Sequence, residues 1–142
     1  MEWTTELRYK RYEDWTEEEK KQIKENMAKS PWHTHYHVEP TSGPLNDPNG
    51  FSYFDGKWIL FYQNFPFGAA HGLKSWVQLE SDDLVHFNET GVKVFPDTPL
   101  DSHGAYSGSA MQFDDELFLF YTGNVRDENW IRHPYQIGAL ID

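Results

Sequence analysis

One nine-residue segment occurs twice in the chain. Phe54-Asp55-Gly56-Lys57-Trp58-Ile59-Leu60-Phe61-Tyr62 aligns with Phe113-Asp114-Asp115-Glu116-Leu117-Phe118-Leu119-Phe120-Tyr121, an offset of 59 residues. Each copy is a tight-turn dipeptide followed by aromatic and β-branched residues, the pattern of a two-residue β-hairpin. A hairpin recurring at this spacing predicts a β-propeller, whose blades run about 40–50 residues and lengthen by insertion. Two unrelated hairpins with similar turns would give the same match. A second unit of that length beginning near Tyr106 would run past Asp142, so the repeat predicts that the chain stops inside a blade, as the N-terminal piece of a longer protein. On that expectation residues 1–142 alone, with an open strand edge around Ile137 to Ile141, are aggregation-prone and inactive.

The remaining texture is consistent with this. Gly50 to Phe54 and Lys57 to Tyr62 form the first hairpin, Leu73 to Glu80 a third strand and Val85 to Glu89 a fourth. Before them lies one short helix, predicted over about residues 17–29. Thr16 with Glu19 makes a capping box, Trp15, Ile23 and Met27 a thin apolar stripe, and Ser30-Pro31 a stop. The domain reading is an N-terminal extension over 1–31 and the start of a propeller over 32–142. The whole is all-β apart from the helix, one to two blades, the second incomplete.

Charge narrows the partners. Twelve Lys and Arg stand against 23 Asp and Glu, a net charge of −11. Such a surface repels phosphate backbones, which argues against nucleic acid. No apolar run reaches the roughly 20 residues of a membrane span, and Met1 to Glu6 has no signal-peptide character, so a cytoplasmic location is expected. With no Cys, thiolate chemistry is excluded. His33, His35 and His37 alternate as on a strand, where three imidazoles would share a face and be able to hold zinc; local hydrogen bonding is the simpler role, and no metal is expected. Of Trp58, Phe61, Tyr62, Trp76, Phe118 and Phe120, most are expected to pack between blades. Asn88-Glu89-Thr90 is a sequon expected to be idle.

The segment richest in chemistry is Gly43-Pro44-Leu45-Asn46-Asp47-Pro48-Asn49-Gly50, one carboxylate among turn formers directly before a strand. An ordinary turn capped by Asp47 would read the same way. The 59-residue offset sets Asp47 against Tyr106, so Asn46-Asp47 and Tyr106-Ser107 head equivalent strands. In a propeller such strand ends meet near the axis. Asp47, Asn46, Tyr106 and Ser107 would then line one cleft, with the carboxylate as nucleophile or base.

Leu45-Asn46-Asp47-Pro48-Asn49-Gly50 resembles the signature of glycoside hydrolase family 32, the invertases, fructanases and bacterial sucrose-6-phosphate hydrolases. Tyr62-Gln63-Asn64, Phe67-Gly68, Asp83-Leu84-Val85-His86-Phe87, Tyr106-Ser107-Gly108-Ser109-Ala110 and Phe120-Tyr121-Thr122-Gly123-Asn124 follow in the family's order, covering about His35 to Asp142. The resemblance implies a five-bladed propeller and a retaining glycosidase acting on sucrose or sucrose 6-phosphate. It makes Asp47 the nucleophile and Asn46, Gln63 and Ser107 sugar contacts. Tyr106 stands where the family usually has Phe, and His71 where it usually has Trp. His71 would there donate a hydrogen bond or meet a phosphate. The family's Arg-Asp-Pro and Glu-Cys motifs, which carry the transition-state stabiliser and the acid/base, are absent; Arg126-Asp127-Glu128 is not the former. The resemblance implies no cofactor, a sugar substrate and the remainder of the propeller as partners. A non-catalytic sugar-binding propeller, a fructosyltransferase, or a free-standing β-rich interaction domain with a coincidental motif are the alternatives.

Overall fold

The computed structural model describes residues 2–141. The N-terminal segment holds α1 (Thr5–Arg8), a 3₁₀ turn (Tyr12–Asp14) and α2 (Glu17–Ala28). Seven strands follow: β1 (Leu45–Phe54), β2 (Lys57–Asn64), β3 (Ser75–Ser81), β4 (Asn88–Val94), β5 (Ala105–Phe113), β6 (Glu116–Arg126) and β7 (Arg132–Ile141). β1 to β4 form one antiparallel meander and β5 to β7 a second. These are one four-stranded blade and three strands of the next.

α2 begins as its capping box dictates. Thr16 Oγ1 accepts from the Glu19 N–H at 3.2 Å, and Glu19 Oε2 accepts from the Thr16 N–H at 2.7 Å. None of its residues is buried, as its thin stripe predicts. The segment is anchored instead by aromatics outside α2. Trp15 stacks on Phe67 at 4.3 Å with planes 3° apart, and Trp3 meets Phe65 edge-on at 5.7 Å. Trp3 takes the space over Gly68, where a Cβ would sit 1.8 Å from the indole. Hydrogen bonds then tie the segment to the β2–β3 connection. The Leu73 N–H donates to Arg8 O at 2.7 Å, Tyr12 Oη donates to Leu73 O at 3.0 Å, and Arg8 Nε donates to His71 O.

The two hairpins have the same register around their turns, Phe54 opposite Lys57 and Phe113 opposite Glu116. Asp55 and Gly56 take φ of 46° and 76°, the doubly left-handed pair of a type I′ turn. Side-chain parity also repeats around the ring. Ile59 and Phe61 point to the second sheet, joining Trp76, Leu117, Leu119 and Tyr121 in the core between the sheets. Tyr62 points away, into a cluster with Val77 and Leu79 on the outer face of the first sheet. At the 59-residue offset Tyr62 corresponds to Tyr121, so equivalent side chains face the same way around the ring.

Three expectations need correction. His33, His35 and His37 lie in no strand. No neighbouring backbone offers that stretch a ladder, and His33 Nδ1 turns to Glu39 Oε2 at 3.1 Å. The fourth strand starts at Asn88 rather than Val85. Asp83 Oδ1 accepts from the Val85 and His86 N–H groups at 2.9 and 2.8 Å, and Leu84 takes φ of 64°, so the preceding residues close a turn. The third strand starts at Ser75, not Leu73, because the Leu73 N–H is committed to Arg8. Phe118 and Phe120 lie on the face of β6 turned away from the first sheet, and Phe120 is 45% exposed there.

Candidate active site

Asp47 owes its position to a bulge. The β1–β2 ladder pairs Asn46 with Gln63 and Pro48 with Tyr62, leaving Asp47 without a partner. Pro48 has no N–H to continue the ladder, and an unpaired extra residue re-aims its side chain. β5 repeats the device. Tyr106 pairs with Thr122 and Gly108 with Tyr121, so Ser107 is the extra residue. Asp47 is thus the structural counterpart of Ser107, not of Tyr106 as the offset of 59 predicts. A second irregularity in β1, between Asn49 and Ser52, adds one residue. Gly50 sits there with φ of 61°. Asn46-Asp47 and Tyr106-Ser107 remain equivalent as pairs.

The two bulged residues meet. Ser107 Oγ donates to Asp47 Oδ2 at 2.8 Å, and Gln63 Nε2 donates to Ser107 Oγ at 2.6 Å. An amide N–H₂ can only donate, so Gln63 commits the serine proton to the carboxylate. Gln63 is 1% exposed, whereas Asp47 and Ser107 are exposed. The carboxylate is therefore held from one side and open on the other. Asn49 braces it from behind: its Nδ2 donates to Asp47 O at 2.8 Å and its Oδ1 accepts from the Gly108 N–H at 3.2 Å. Gly108 allows this approach, since a Cβ there would lie 2.0 Å from Phe120 O.

Tyr106 is fixed by its backbone, whose oxygen accepts from Trp76 Nε1 at 3.1 Å. Its ring has Lys74 Nζ 5.5 Å and the Arg132 guanidinium 4.9 Å from its centroid. Burial pushes the Lys74 ammonium below the usual lysine range, and the charge of Asp47 opposes that shift. Lys74 therefore feels the charge of the carboxylate. Neither it nor Asn49 was among the residues expected at the site. The signal for Lys74 was its place directly before β3, at the sheet end that carries Asp47.

Asp47, Gln63 and Ser107 form one hydrogen-bonded unit, and Tyr106 adjoins it. Asn46 is half-buried beside Asp47, and its side chain makes no hydrogen bond among the described residues. His71 is exposed on the loop that Arg8 holds, and its ring is not tied to Asp47. A cavity of about 850 Å³ lies elsewhere, between α2 and the outer face of the first sheet, lined by Lys20, Lys24, Tyr62 and Glu89 among others. It contains neither Asp47 nor Ser107, so the chemistry is not there.

An exposed carboxylate held by one hydroxyl can attack an electrophilic carbon or take a proton. Comparison with known proteins narrows this. Residues 37–142 match the glycosyl hydrolases family 32 N-terminal domain. The sucrose-6-phosphate hydrolase of Streptococcus mutans is 73% identical over 96% of this chain, which covers 28% of that relative. The structure of sucrose-6-phosphate hydrolase from Lactobacillus gasseri superposes with a TM-score of 0.95 at 52% identity, over 99% of this chain and 29% of that one. A Bombyx mori GH32 β-fructofuranosidase in complex with sucrose superposes with a TM-score of 0.71 at 30% identity, over 89% of this chain and 28% of its own. The chain thus spans somewhat over a quarter of the length of these relatives.

Proposed function

The chain belongs to glycosyl hydrolases family 32, and from that premise we propose that it supplies the nucleophile and part of the fructosyl pocket of a β-fructofuranosidase. The substrates are sucrose 6-phosphate or sucrose. Asp47 attacks the anomeric carbon of the fructosyl unit, forming a covalent ester as the bond to the glucosyl oxygen breaks. A carboxylic acid from a later blade protonates that oxygen. It then takes a proton from the water that attacks the anomeric carbon, breaking that carbon's bond to Asp47 and releasing fructose and the free carboxylate. Ser107 and Gln63 hold Asp47 in its attacking position and, with Asn46 and Tyr106, contact the sugar. His71 faces the leaving group from its loop. No metal or cofactor is needed.

The observation that carries this reading is the chain of hydrogen bonds from Gln63 through Ser107 to Asp47. It joins two blades through their bulged residues and leaves the second side of the carboxylate free. Residues 1–31 act as an extension bracing the β2–β3 loop, and 32–142 begin the catalytic propeller. A phosphorylated disaccharide is an anion that does not cross a bilayer unaided, which places its hydrolysis in the cytoplasm.

The test is Asp47→Asn in the protein with its complete propeller. Asn keeps the shape and removes the nucleophilic oxygen, so kcat for fructose release should fall on the order of 10⁴-fold. The circular dichroism spectrum should not change. Retention of a tenth of the activity would remove Asp47 from the nucleophile's role.

A further inference from the structure

Three cations gather at the active-site end of the sheets. Lys74 precedes β3, Arg126 ends β6 and Arg132 begins β7. None of the three forms an ion pair among the described residues, whereas Lys10, Arg11, Lys20, Lys21 and Lys57 all do. Arg8, Lys24, Lys29 and Lys93 also lack an ion pair among the described residues; what sets these three apart is that they stand together at one end of the sheets. Arg126 and Arg132 are moreover direct cross-strand partners. Like charges placed opposite each other repel, which costs stability that no internal contact returns.

The cations converge on one ring. Arg132 and Lys74 both approach Tyr106, and Tyr106 adjoins Ser107, whose hydroxyl holds Asp47, so the basic cluster and the carboxylate share an edge. Arg126 Nε is buried and without an acceptor among the described residues. Its Nη1 donates to Trp130 O at 2.9 Å. The frame behind it is well built. The Arg126 N–H donates to His103 Nδ1 at 3.1 Å, and Trp130 packs edge-on to Tyr9 at 5.3 Å and to His103 at 5.7 Å. Asp127 Oδ1 accepts from the Asn129 and Ile131 N–H groups, both at 2.9 Å.

Building on the fructosyl-pocket reading above, we propose that Lys74, Arg126 and Arg132 form the recognition site for the phosphate dianion of a phosphorylated sugar leaving group, with Tyr106 as the wall between that site and Asp47. Two guanidinium groups offer planar pairs of donors and the ammonium a point charge, a set matched to an oxyanion with several acceptor oxygens. A neutral hexose in the same place would leave all three charges uncompensated. The cations thus select the phosphorylated substrate, and His71 is not required for it.

The experiment uses the protein with its complete propeller and compares kcat/KM for sucrose 6-phosphate and for sucrose. Arg132→Gln, Arg126→Gln and Lys74→Met should each lower the ratio of the two constants by about 10–100-fold, the loss expected when a charged hydrogen-bond partner is removed. The loss should fall mainly on KM for the phosphorylated substrate. Arg132→Lys, which keeps the charge but not the planar fork, should recover part of it. An unchanged ratio, or equal losses on both substrates, would overturn the proposal. Calorimetric titration with glucose 6-phosphate against glucose separates the two levels of the argument. If the protein cleaved neither sugar, the fructosyl reading would fail, yet glucose 6-phosphate binding that disappears in Arg132→Gln would still establish the anion site. No preference for glucose 6-phosphate over glucose would refute it.

Discussion

β2 and β6 carry the same hairpin sequence pattern, yet they sit in different surroundings. In β2, Ile59 and Phe61 are buried toward the second sheet, and Tyr62, facing the other way, is buried as well. In β6, Leu117, Leu119 and Tyr121 are buried toward the first sheet, while Phe120 on the opposite face is 45% exposed. The first sheet has neighbours on both faces, the second sheet on one and the residues around Val38 and Phe87 on the other. The second has a neighbour on one. Burial is thus a property of what the ring places beside a strand, and strands of similar composition can differ in it completely. The hydrogen-bonded unit of Asp47 and Ser107 inherits this asymmetry, since Asp47 comes from the doubly covered sheet and Ser107 from the singly covered one.

The largest effect should come from the shared core. Trp76 is fully buried, tilts against Phe61 at 5.5 Å and Tyr121 at 5.8 Å, and donates to Tyr106 O. Trp76→Ala removes contacts to both sheets and frees the backbone next to Ser107. It should cost about 3–5 kcal/mol, read as a lowered midpoint of chemical denaturation. It should also slow fructose release by the complete propeller. A loss under 1 kcal/mol would mean that the sheets do not depend on each other.

A smaller effect tests the buried polar seam of the second sheet. Asp101 is fully buried. Its Oδ1 accepts from the Thr98 N–H and hydroxyl, both at 2.7 Å, and its Oδ2 accepts from Tyr121 Oη at 2.8 Å. Tyr121→Phe preserves the ring in the core and strips one oxygen of its donor. The expected cost is about 1–3 kcal/mol, again by denaturation, and activity should change less than stability.

The difference between the sheets also explains what was legible in the sequence. The hairpins and the capping box rest on neighbouring residues, so local turn chemistry specified them. The dipeptides Asn46-Asp47 and Tyr106-Ser107 were legible because one repeat carries both. The one-residue error in aligning Asp47 came from the irregularity at Gly50, since an isolated Gly reads as turn or bulge alike. The histidine stretch shows that alternation without a partner strand makes no strand. Lys74, Arg126 and Arg132 were illegible because their meeting depends on the register of β6 with β7 and on the packing of two sheets. No window of sequence contains that information.

Two histidines at the borders of these regions should respond to pH with opposite signs. Burial, with the positive charges of Arg126 and Arg11, holds His103 below the ordinary histidine pKa. The folded ring is neutral, and its Nδ1 accepts from the Arg126 N–H. As pH falls the unfolded chain protonates first, so the contribution of His103 is complete above about pH 6.5 and is lost below it. The hydrogen bond that His33 donates to the Glu39 carboxylate raises the histidine's pKa. Its contribution is present below the ordinary value and is lost as pH rises through the folded one. Between pH 7.5 and 5.5, the melting-temperature gap between parent and His103→Asn should therefore shrink, and the gap for His33→Gln should widen. Parallel gaps would show that neither histidine titrates differently in the fold.

The smallest effect is expected on the uncovered face. Phe120 projects from β6 on the face that also carries Met111, 58% exposed, and Leu140, 53% exposed, the cross-strand partners of Phe118. In residues 1–142 expressed alone, Phe120→Ser removes an aromatic group that water already reaches, so stability should move within about 0.5 kcal/mol. Solubility should rise, because an exposed apolar strand face favours association. In the complete propeller the same face meets the following blade. There the substitution should cost about 3–5 kcal/mol, the range for truncating a buried Phe. A large loss in the short chain would mean that Phe120 is packed within these two sheets. A negligible loss in the complete propeller would mean that no blade covers this face, and the ring implied by the parity of Tyr62 and Tyr121 would not close over it.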